Sequence, residues 1–395
     1  MTRIVDLGTK NPYHALGGVE AGVYNTNRGL VKAGFDVITI CHANNDFVIE
    51  KTDMGKIIGL KVPENEFLRF LTYPFRASKL AAKLKPDVIM GDGAGNFGAS
   101  ILSSIFRKKG VIRIERCHGT HMQLIMSTPK KTLHMMLLGR LMVEVVERYS
   151  FSMADHIIVV SYAVEKELMK HYGIPKERMT VIHFGGVDTK LYYPLGKSRK
   201  RMLRERLGFV GTQRCLVYVG TDPYRKGLDV ALSTMLLLDK KRFRLNVIGV
   251  TDQEGRRFID TYGIDRKVLE RVTFLGRIED SNKVAYIQAS DAMLFPSRYE
   301  SMGLVVLEAL SCGIPAIISK NVAAQELAGK KQGMLVVNSF NPKDYAAMVS
   351  MVFANQLKLE EMGRRGRHEM LQYDWEIVSR KYSQEVKNIV GNNTQ

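Results

Sequence analysis

The sequence predicts an α/β protein with two doubly wound domains, each built on a parallel sheet covered by helices. Short apolar segments such as RIVDL, FDVITI and HIIVVS in the first half, and CLVYVG, RLNVIG and PAIIS in the second, have the length and β-branched content of buried strands. Segments with apolar residues three or four positions apart, such as VEKELMKHY, lie between them. Strands that alternate with helices form parallel sheets through right-handed crossovers.

The expected domain division follows from the length of the chain and from a break in this alternation. A chain of 395 residues is larger than one hydrophobic core usually organises. Strand and helix signals lapse over GGVDTKLYYPLG, and seven basic residues follow between Lys197 and Arg214. We therefore expect a first domain at 1–195, a second at 196–374, and a tail helix at 375–395 with the option of packing back on the first domain. The basic segment is an exposed linker and helix face, or a contact for lipid or nucleic acid.

Composition limits the classes of partner without choosing one. A formal net charge of +18 fits nucleic acid, an anionic membrane surface, or small substrates that carry phosphate. The four cysteines have no C-x-x-C spacing, which argues against a zinc site and a disulfide framework and favours a reducing compartment. There is no run of about 18 apolar residues and no signal-peptide core at the start. We expect a cytoplasmic protein, free or bound to the cytosolic face of a membrane.

One glycine motif predicts an alternative function. Gly93, Gly95 and Gly98 have the spacing of the dinucleotide fingerprint after a predicted strand, and Glu115 closes the next strand. On this interpretation the protein is an NAD-dependent oxidoreductase. The motif does not lie at the first strand-to-helix turn, however, and a tight turn at a strand end needs the same small residues.

The segment SRYESMGLVVLEALSCGIPA carries the most specific pattern of the chain. It places Glu300 in a glycine loop and Glu308 in the helix that follows. Gly303 would begin that helix, whose first N–H groups have no partners within the helix and suit phosphate oxygens. The pair Arg225 and Lys226 in YRKG adds one planar and one compact cation. Taken alone, these residues could also be surface charges or helix caps.

Together, several motifs resemble family four of the retaining, nucleotide-sugar-dependent glycosyltransferases. They are HALGGVEAGVYNTNRGLVKAGFDV near the start, FGGVDTKLYYP, GTDPYRKGLDV, FLGRI and the segment with the two glutamates. The resemblance spans nearly the whole chain and implies the GT-B architecture, in which two Rossmann-like domains face a cleft. It also implies transfer of a hexose from a UDP- or GDP-sugar to a glycan or lipid-linked acceptor, with retention of anomeric configuration. A sugar-nucleotide epimerase of the same fold is a further alternative.

The resemblance assigns roles to particular residues. Glu300 would face the transferred sugar, Arg225 and Lys226 would hold the diphosphate, and His118 in ERCHGTH would hydrogen-bond the reactive sugar or the acceptor. A lone histidine is also often structural. Glu308 would accept from the ribose hydroxyls, main-chain groups of the FLGRI strand end would contact the base, and the first glycine loop would approach the diphosphate. The expected donor-binding residues are Gly17, Gly18, Gly220, Arg277, Ile278, Ser301, Met302, Gly303, Leu304, Val305 and Glu308.

Two departures from the family pattern bear on the identity of the donor. Thr221 stands where the family commonly has arginine, directly after the glycine of the first strand in the second domain, and Gly185 stands where asparagine is frequent before GVD. Arg225 and Lys226 would then be the cationic side chains that hold the diphosphate. No Asp-x-Asp pair occurs, so we expect no metal ion and no cofactor. The resemblance implies front-face attack, in which the departing diphosphate oxygen takes the acceptor proton.

The acceptor side carries two candidate membrane contacts. The stretch Met122–Phe151 is rich in Met and Leu, with Lys130, Lys131, Arg140 and Arg148 interspersed, as in a helix that lies on an anionic membrane. It also fits a Met-rich core helix. Lys79, Lys83 and Lys85 near Phe75 form a second basic face. A lipid-linked acceptor and a soluble sugar both remain open.

Overall fold

The chain folds into two compact α/β units. This computed structural model describes residues 1–8, 11–12, 17–92, 110–127, 146–183, 185–209, 211, 213–327 and 333–393. The first unit comprises the described residues of Met1–Met126, Lys130–Gly186 and Trp375–Gln395, and the second comprises those of Ser127–Pro129 and Val187–Asp374. The predicted fold class, two parallel-sheet α/β domains, is confirmed.

The division falls after Gly186 instead of after residue 195, because the intervening segment is held by the end of the second unit. Val187 N donates to Tyr373 O at 3.0 Å, and Thr189 Oγ1 donates to Asp374 Oδ2 at 2.5 Å. Arg367 donates to the carbonyl oxygens of Thr189 and Tyr192 at 3.1 and 2.8 Å. The expectation of a first domain at 1–195 therefore runs too far along the chain, and residues 187–195 belong with the second unit.

The sheet of the first unit has the strand order β3-β4-β2-β1-β5-β6-β7-β8 among the described residues, and only the β3–β4 pairing is antiparallel. Its strands are β1 (Arg3–Leu7), β2 (Asp36–Ala43), β3 (Phe47–Thr52), β4 (Gly55–Lys61), β5 (Val88–Asp92), β6 (Ile112–Cys117), β7 (His156–Val159) and β8 (Met179–Val181). All six residues of β6 are buried, as expected for a central strand covered on both faces.

Helices of the first unit are α1 (Gly18–Lys32), α2 (Glu66–Lys83), α3 (His121–Met126), α4 (Arg148–Met153) and α5 (Tyr162–Glu167), which a π-turn extends over Leu168–Tyr172. A 3-10 turn lies at Lys176–Arg178. The helix Trp375–Asn393, which we number α13 in chain order, also belongs to this unit and packs against α1. A Cβ at Gly29 would lie 2.6 Å from Ser379 Cβ, so glycine permits the close approach of the two helices.

The sheet of the second unit is parallel throughout, with the order β11-β10-β9-β12-β13-β14. Its strands are β9 (Arg214–Val219), β10 (Phe243–Ile248), β11 (Val272–Gly276), β12 (Ala292–Phe295), β13 (Ala316–Ser319) and β14 (Met334–Val337). The helices are α6 (Lys197–Arg206), α7 (Leu228–Leu237), α8 (Asp252–Thr261), α9 (Asp280–Ala289), α10 (Leu304–Ser311), α11 (Pro342–Phe353) and α12 (Gln356–Met370), with 3-10 turns at Arg266–Arg271, Ala323–Glu326 and Leu371–Tyr373.

None of the helices that the structure describes is long and apolar enough to cross a bilayer.

Two loops at the carboxyl edge of the second sheet lie in direct backbone contact. The loop after β9 ends at Gly227, whose φ of +76° is the left-handed conformation that favours glycine. A Cβ at this position would lie 2.0 Å from the carbonyl oxygen of Pro296, in the loop after β12. Arg298 N donates to Arg225 O across the same contact at 2.7 Å. Gly227 therefore sets the distance between the two loops.

Gly227→Ala should be more destabilising than Gly263→Ala. Gly263 also has a positive φ, +62°, but nothing lies within 4 Å of the Cβ that alanine would add. The control thus carries only the backbone strain of about 1–2 kcal/mol, whereas Gly227→Ala adds a steric overlap that commonly costs about 1–3 kcal/mol more. Urea unfolding of both variants measures the difference. Equal free energies of unfolding would show that the two loops can separate without cost.

Candidate active site

The carboxyl edge of the second sheet brings Glu300, Lys226 and Arg225 together. Glu300 Oε1 accepts from Lys226 Nζ and from Arg225 Nη1, the latter at 3.1 Å. The side chains are only 11%, 16% and 19% exposed, respectively. Lys226 Nζ also lies 5.4 Å from the centre of the Phe295 ring. Three of the four predicted catalytic residues therefore form one partly buried cluster.

The cluster is close to neutral in charge. Arg225 makes a second ion pair with Asp222, 2.9 Å from its Nε, so two cations face two carboxylates. Because Glu300, Lys226 and Arg225 are largely withdrawn from water, their charges are screened less than those of surface groups such as Asp222, which is 42% exposed. The carboxylate of Glu300 is thus a built-in counter-ion for cations that could otherwise bind phosphate oxygens.

The amino terminus of α10 lies beside this cluster. Gly303 has a φ of +91°, and a Cβ there would lie 2.9 Å from Val322 Cγ1, so glycine is required by conformation and by space. Val306 N donates to Gly303 O at 2.9 Å. The N–H groups of Leu304 and Val305 come before the first intrahelical hydrogen bond. They therefore have no acceptor within the helix and give this end of it a partial positive charge. The helix end at which we expect phosphate oxygens therefore lies next to the cations, and its role stays a prediction.

The loop that leads into α10 is fixed to its neighbour by main-chain hydrogen bonds. Glu300 N donates to Asn321 O, and Ala323 N donates to Glu300 O, both at 3.1 Å. Met302 is buried and Ser301 is half-buried. Ser297 Oγ donates to Arg225 O at 3.1 Å, which ties the loop to the β9 side as well. The conformation of the candidate donor-binding loop is thus set by contacts with the segments that follow β13 and β9.

Glu308 has a different environment from Glu300. Its Oε1 accepts from Lys283 Nζ, on α9, at 3.0 Å, and the hydroxyl of the buried Tyr192 also hydrogen-bonds the carboxylate. Burial raises the pKa of Glu308, and the ammonium of Lys283 opposes that rise. The spacing of the two glutamates gave no sign of Lys283, which also pairs with Asp280 at 3.1 Å. A carboxylate has about four lone-pair sites, so ligand hydroxyls could donate to Glu308 beside these partners.

The remaining donor-binding candidates of this unit lie at the same edge. Gly276 ends β11 and exchanges main-chain hydrogen bonds with residues 249 and 250, so Arg277 and Ile278 directly follow the strand end. Gly220 follows β9, and a Cβ there would lie 2.9 Å from Lys226 Cγ. Glycine therefore leaves room for the stem of Lys226.

In the first unit, Gly17 and Gly18 mark the start of α1. Gly17 is the extended residue before the helix, and the carboxylate of Glu20 occupies the space that a side chain at Gly17 would need. His118 follows β6, and its Nε2 lies 2.8 Å from Asp92 Oδ1. Sequence reasoning had not singled out Asp92.

The glycine motif of the oxidoreductase alternative and most of the Met-rich stretch fall outside the described residues. Gly93, Gly95 and Gly98 lie outside the described residues, as do residues 128–145. Glu115 is buried within β6. Both ends of the Met-rich stretch are described: Phe151 is fully buried, whereas Tyr149 is 39% exposed and Met122 is half-buried, so the described parts contribute to the core and to the surface.

Comparisons with known proteins identify the family. The description "Glycosyltransferase Family 4" matches residues 16–191, and "Glycosyl transferases group 1" matches residues 199–369. An uncharacterized glycosyltransferase of Methanocaldococcus jannaschii is 24% identical over 388 residues, which is 94% of each chain. A GDP-mannose-dependent monoacylated alpha-(1-6)-phosphatidylinositol monomannoside mannosyltransferase of Corynebacterium glutamicum is 27% identical over 50% of this chain and 53% of its own. The chain thus matches several curated relatives over about half of their length.

Solved structures show the same fold. The sucrose-phosphate synthase of Thermosynechococcus elongatus superposes with a TM-score of 0.79 at 20% identity, over 99% of this chain and 100% of its own. The Anabaena protein Alr3699/HepE, solved with UDP and glucose, superposes with a TM-score of 0.72 at 16% identity, over 98% of this chain and 100% of its own. Both sheets, the glycine-dependent loops at their carboxyl edges and the two family matches agree: the chain belongs to the group 1, family 4 glycosyltransferases of GT-B fold.

Proposed function

We propose that the chain transfers a hexose from a UDP- or GDP-sugar to a glycan or lipid-linked acceptor, with retention of anomeric configuration. The observation that carries this proposal is the cluster of Glu300, Lys226 and Arg225 beside the amino terminus of α10. It combines cations and helix N–H groups for a diphosphate with a carboxylate for a sugar. Family membership does not favour the oxidoreductase or the epimerase.

The donor would lie along the carboxyl edge of the second sheet. Its diphosphate would meet Lys226, Arg225 and the first N–H groups of α10, and its ribose hydroxyls would donate to the carboxylate of Glu308. Main-chain groups at Arg277 and Ile278 would contact the base. The complexes of the Anabaena protein with UDP and the GDP-mannose dependence of the Corynebacterium relative support this class of donor.

The proposed reaction breaks the bond between the anomeric carbon and the diphosphate oxygen and forms one between that carbon and the acceptor oxygen. The acceptor proton passes to the departing diphosphate oxygen. Negative charge develops on the diphosphate in the transition state, where Lys226 and the α10 N–H groups would stabilise it. Glu300, released from its cations by the diphosphate, would hold sugar hydroxyls, and His118 would hydrogen-bond the sugar or the acceptor.

Lys226→Ala and Glu300→Gln should each lower the turnover of the preferred sugar nucleotide by about 100-fold or more, because both act on transition-state charge and sugar placement. Glu308→Gln should mainly raise the donor KM. A panel of UDP- and GDP-sugars with transfer and thermal-shift readouts identifies the donor first, since a ligand that binds the folded state raises the melting temperature.

The matched control is Glu361→Gln. Glu361 also accepts from two cations, Arg364 and Arg365, at 2.6 and 2.5 Å, but on the exposed side of α12. It should transfer sugar like the wild type. If Lys226→Ala and Glu300→Gln fold normally and also keep near-native turnover, the proposed site is wrong.

Transfer should not require a metal ion. The sequence contains no Asp-x-Asp pair, and the proposal gives the charge of the diphosphate to Lys226, Arg225 and α10. The expected result is full activity after treatment with EDTA and gel filtration. Metal independence would be refuted if activity were lost after EDTA and returned only when magnesium or manganese was added, and not after removal of EDTA alone.

A lipid-linked acceptor is favoured by the outer face of α2. Leu68 and Phe75 are 49% and 44% exposed, two turns apart on one face, and Arg76, Lys79 and Lys83 are exposed on the same helix. Apolar side chains flanked by cations suit the interface of an anionic bilayer. We place the protein in the cytoplasm, where this face would bind the cytosolic side of a membrane.

The protein should sediment with anionic phosphatidylglycerol vesicles at low salt and be released at high salt, because each basic residue near such a surface contributes about 1 kcal/mol. Lys79→Gln/Lys83→Gln should weaken the binding, whereas Lys267→Gln/Lys343→Gln, on exposed positions of the second unit, should not. Absence from anionic and neutral pellets alike would favour a soluble sugar acceptor.

A further inference from the structure

A buried charge cluster supports His118 in the first unit. Arg116, on β6, has a fully buried side chain and forms ion pairs with Asp6 at 2.5 Å and with Asp92 at 3.0 Å. Asp6 is fully buried as well. Removing three charged groups from water is costly, and buried ion pairs often contribute little net stability. Net stability alone therefore does not explain why these three charged side chains are buried together.

Asp92 connects this cluster to the histidine. Its Oδ1 lies 2.8 Å from His118 Nε2, and its Oδ2 accepts from Arg116 Nη2 at 3.1 Å. Burial tends to raise the pKa of Asp92, but Arg116 and His118 hold it below the ordinary value. An ionised carboxylate can only accept hydrogen bonds, so His118 Nε2 must carry a proton. The contact thereby selects one tautomer and one ring orientation.

Residues of two helices, α1 and α13, also contact Arg116. Asn27, on α1, accepts from Arg116 Nη1 at 3.2 Å and donates to Asp6 Oδ2 at 2.5 Å. The buried hydroxyl of Tyr382, on α13, lies next to the guanidinium and interacts with it. Residues of five elements, β1, α1, β5, β6 and α13, therefore fix the position of the carboxylate that meets His118.

The ring of His118 has little room to move. A Cβ at Gly22 of α1 would lie 3.4 Å from His118 Cε1, so the backbone of α1 passes close to the ring. The side chain is nevertheless 16% exposed and follows β6 at the carboxyl edge, where ligands of parallel sheets bind. Part of the side chain is thus exposed to solvent, while Nε2 is hydrogen-bonded to Asp92.

We propose that Asp92 is a positioning residue, which orients His118 toward the reacting sugar or acceptor and is held in place by Arg116, Asp6 and Asn27. The inference rests on the proposed function, in which His118 contacts one of these two groups. Asp92 itself would not touch substrate. Its effect is to present a single tautomer of the histidine before the donor arrives, so that no ordering is needed during the reaction.

The same strand provides a matched control. Arg113, near the start of β6, donates from Nη2 to Asp155 Oδ1 at 2.6 Å and from Nε to Asp155 Oδ2 at 3.0 Å. This pair lies at the end of the strand opposite to His118. Asp155→Asn therefore removes one aspartate–arginine ion pair from β6 without changing the support of the histidine.

The experiment compares Asp92→Asn with Asp155→Asn in the full chain. Protein labelled with ¹⁵N-histidine contains nine histidines, and the spectrum of His118→Gln assigns the signals of His118. We expect the wild type and Asp155→Asn to show a proton on Nε2, and Asp92→Asn to show a mixture of tautomers. We also expect Asp92→Asn to lower kcat by about 10- to 100-fold, with a smaller change in the donor KM.

The two readouts separate this inference from the proposed function. If the wild type transfers no sugar at all, the proposed function fails, and the tautomer of His118 still tests the positioning. An unchanged tautomer in Asp92→Asn, or a kcat equal to that of Asp155→Asn, would overturn the inference. If Asp92→Asn does not fold, the wild-type spectrum decides, because a His118 without a proton on Nε2 contradicts the proposed contact.

Discussion

The ion pair between Glu300 and Lys226 is the interaction on which the candidate site depends. It joins the loop after β9 to the loop after β12, and it forms only because Gly227 lets the two backbones meet. Without a bound ligand, the carboxylates of Glu300 and Asp222 neutralise the two cations. A diphosphate would compete for the same cations. If a diphosphate replaced Glu300 as the partner of the cations, the same step would fill the diphosphate position and free the carboxylate for the sugar.

Both units place a carboxylate against a cation at the carboxyl edge of a parallel sheet. In the second unit the carboxylate is Glu300, and in the first it is Asp92, between Arg116 and His118. The central strands are buried on both faces, so polar side chains that must reach a ligand belong at the strand ends. The second unit pairs its groups across two loops, whereas the first pairs them across neighbouring strands.

Much of the second unit could be predicted from its sequence, because the glycines, the cations and Glu300 lie in short motifs whose spacing depends on local geometry. The fold class could be predicted for the same reason, from periodicity within single elements. Lys283 and Asp92 could not, since the partner of each is set by which elements lie side by side. The boundary near residue 195 was wrong because Thr189 and Tyr192 bind Arg367, far along the chain. The roles of the site residues and the membrane contact stay predictions.

The position of α13 has a consequence for the order in which the protein can mature. This helix follows the whole second unit in the sequence, yet it packs on α1 and brings Tyr382 to Arg116 in the first unit. Domains generally fold in the order of their synthesis, but here the ribosome must complete the whole second unit before residues 375–393 emerge. Until then, α1 lacks its helical neighbour and the guanidinium beneath His118 lacks one of its contacts. The first unit is therefore completed only after the second unit has been made, and a nascent chain cannot hold a finished histidine site before residues 375–393 have emerged from the ribosome.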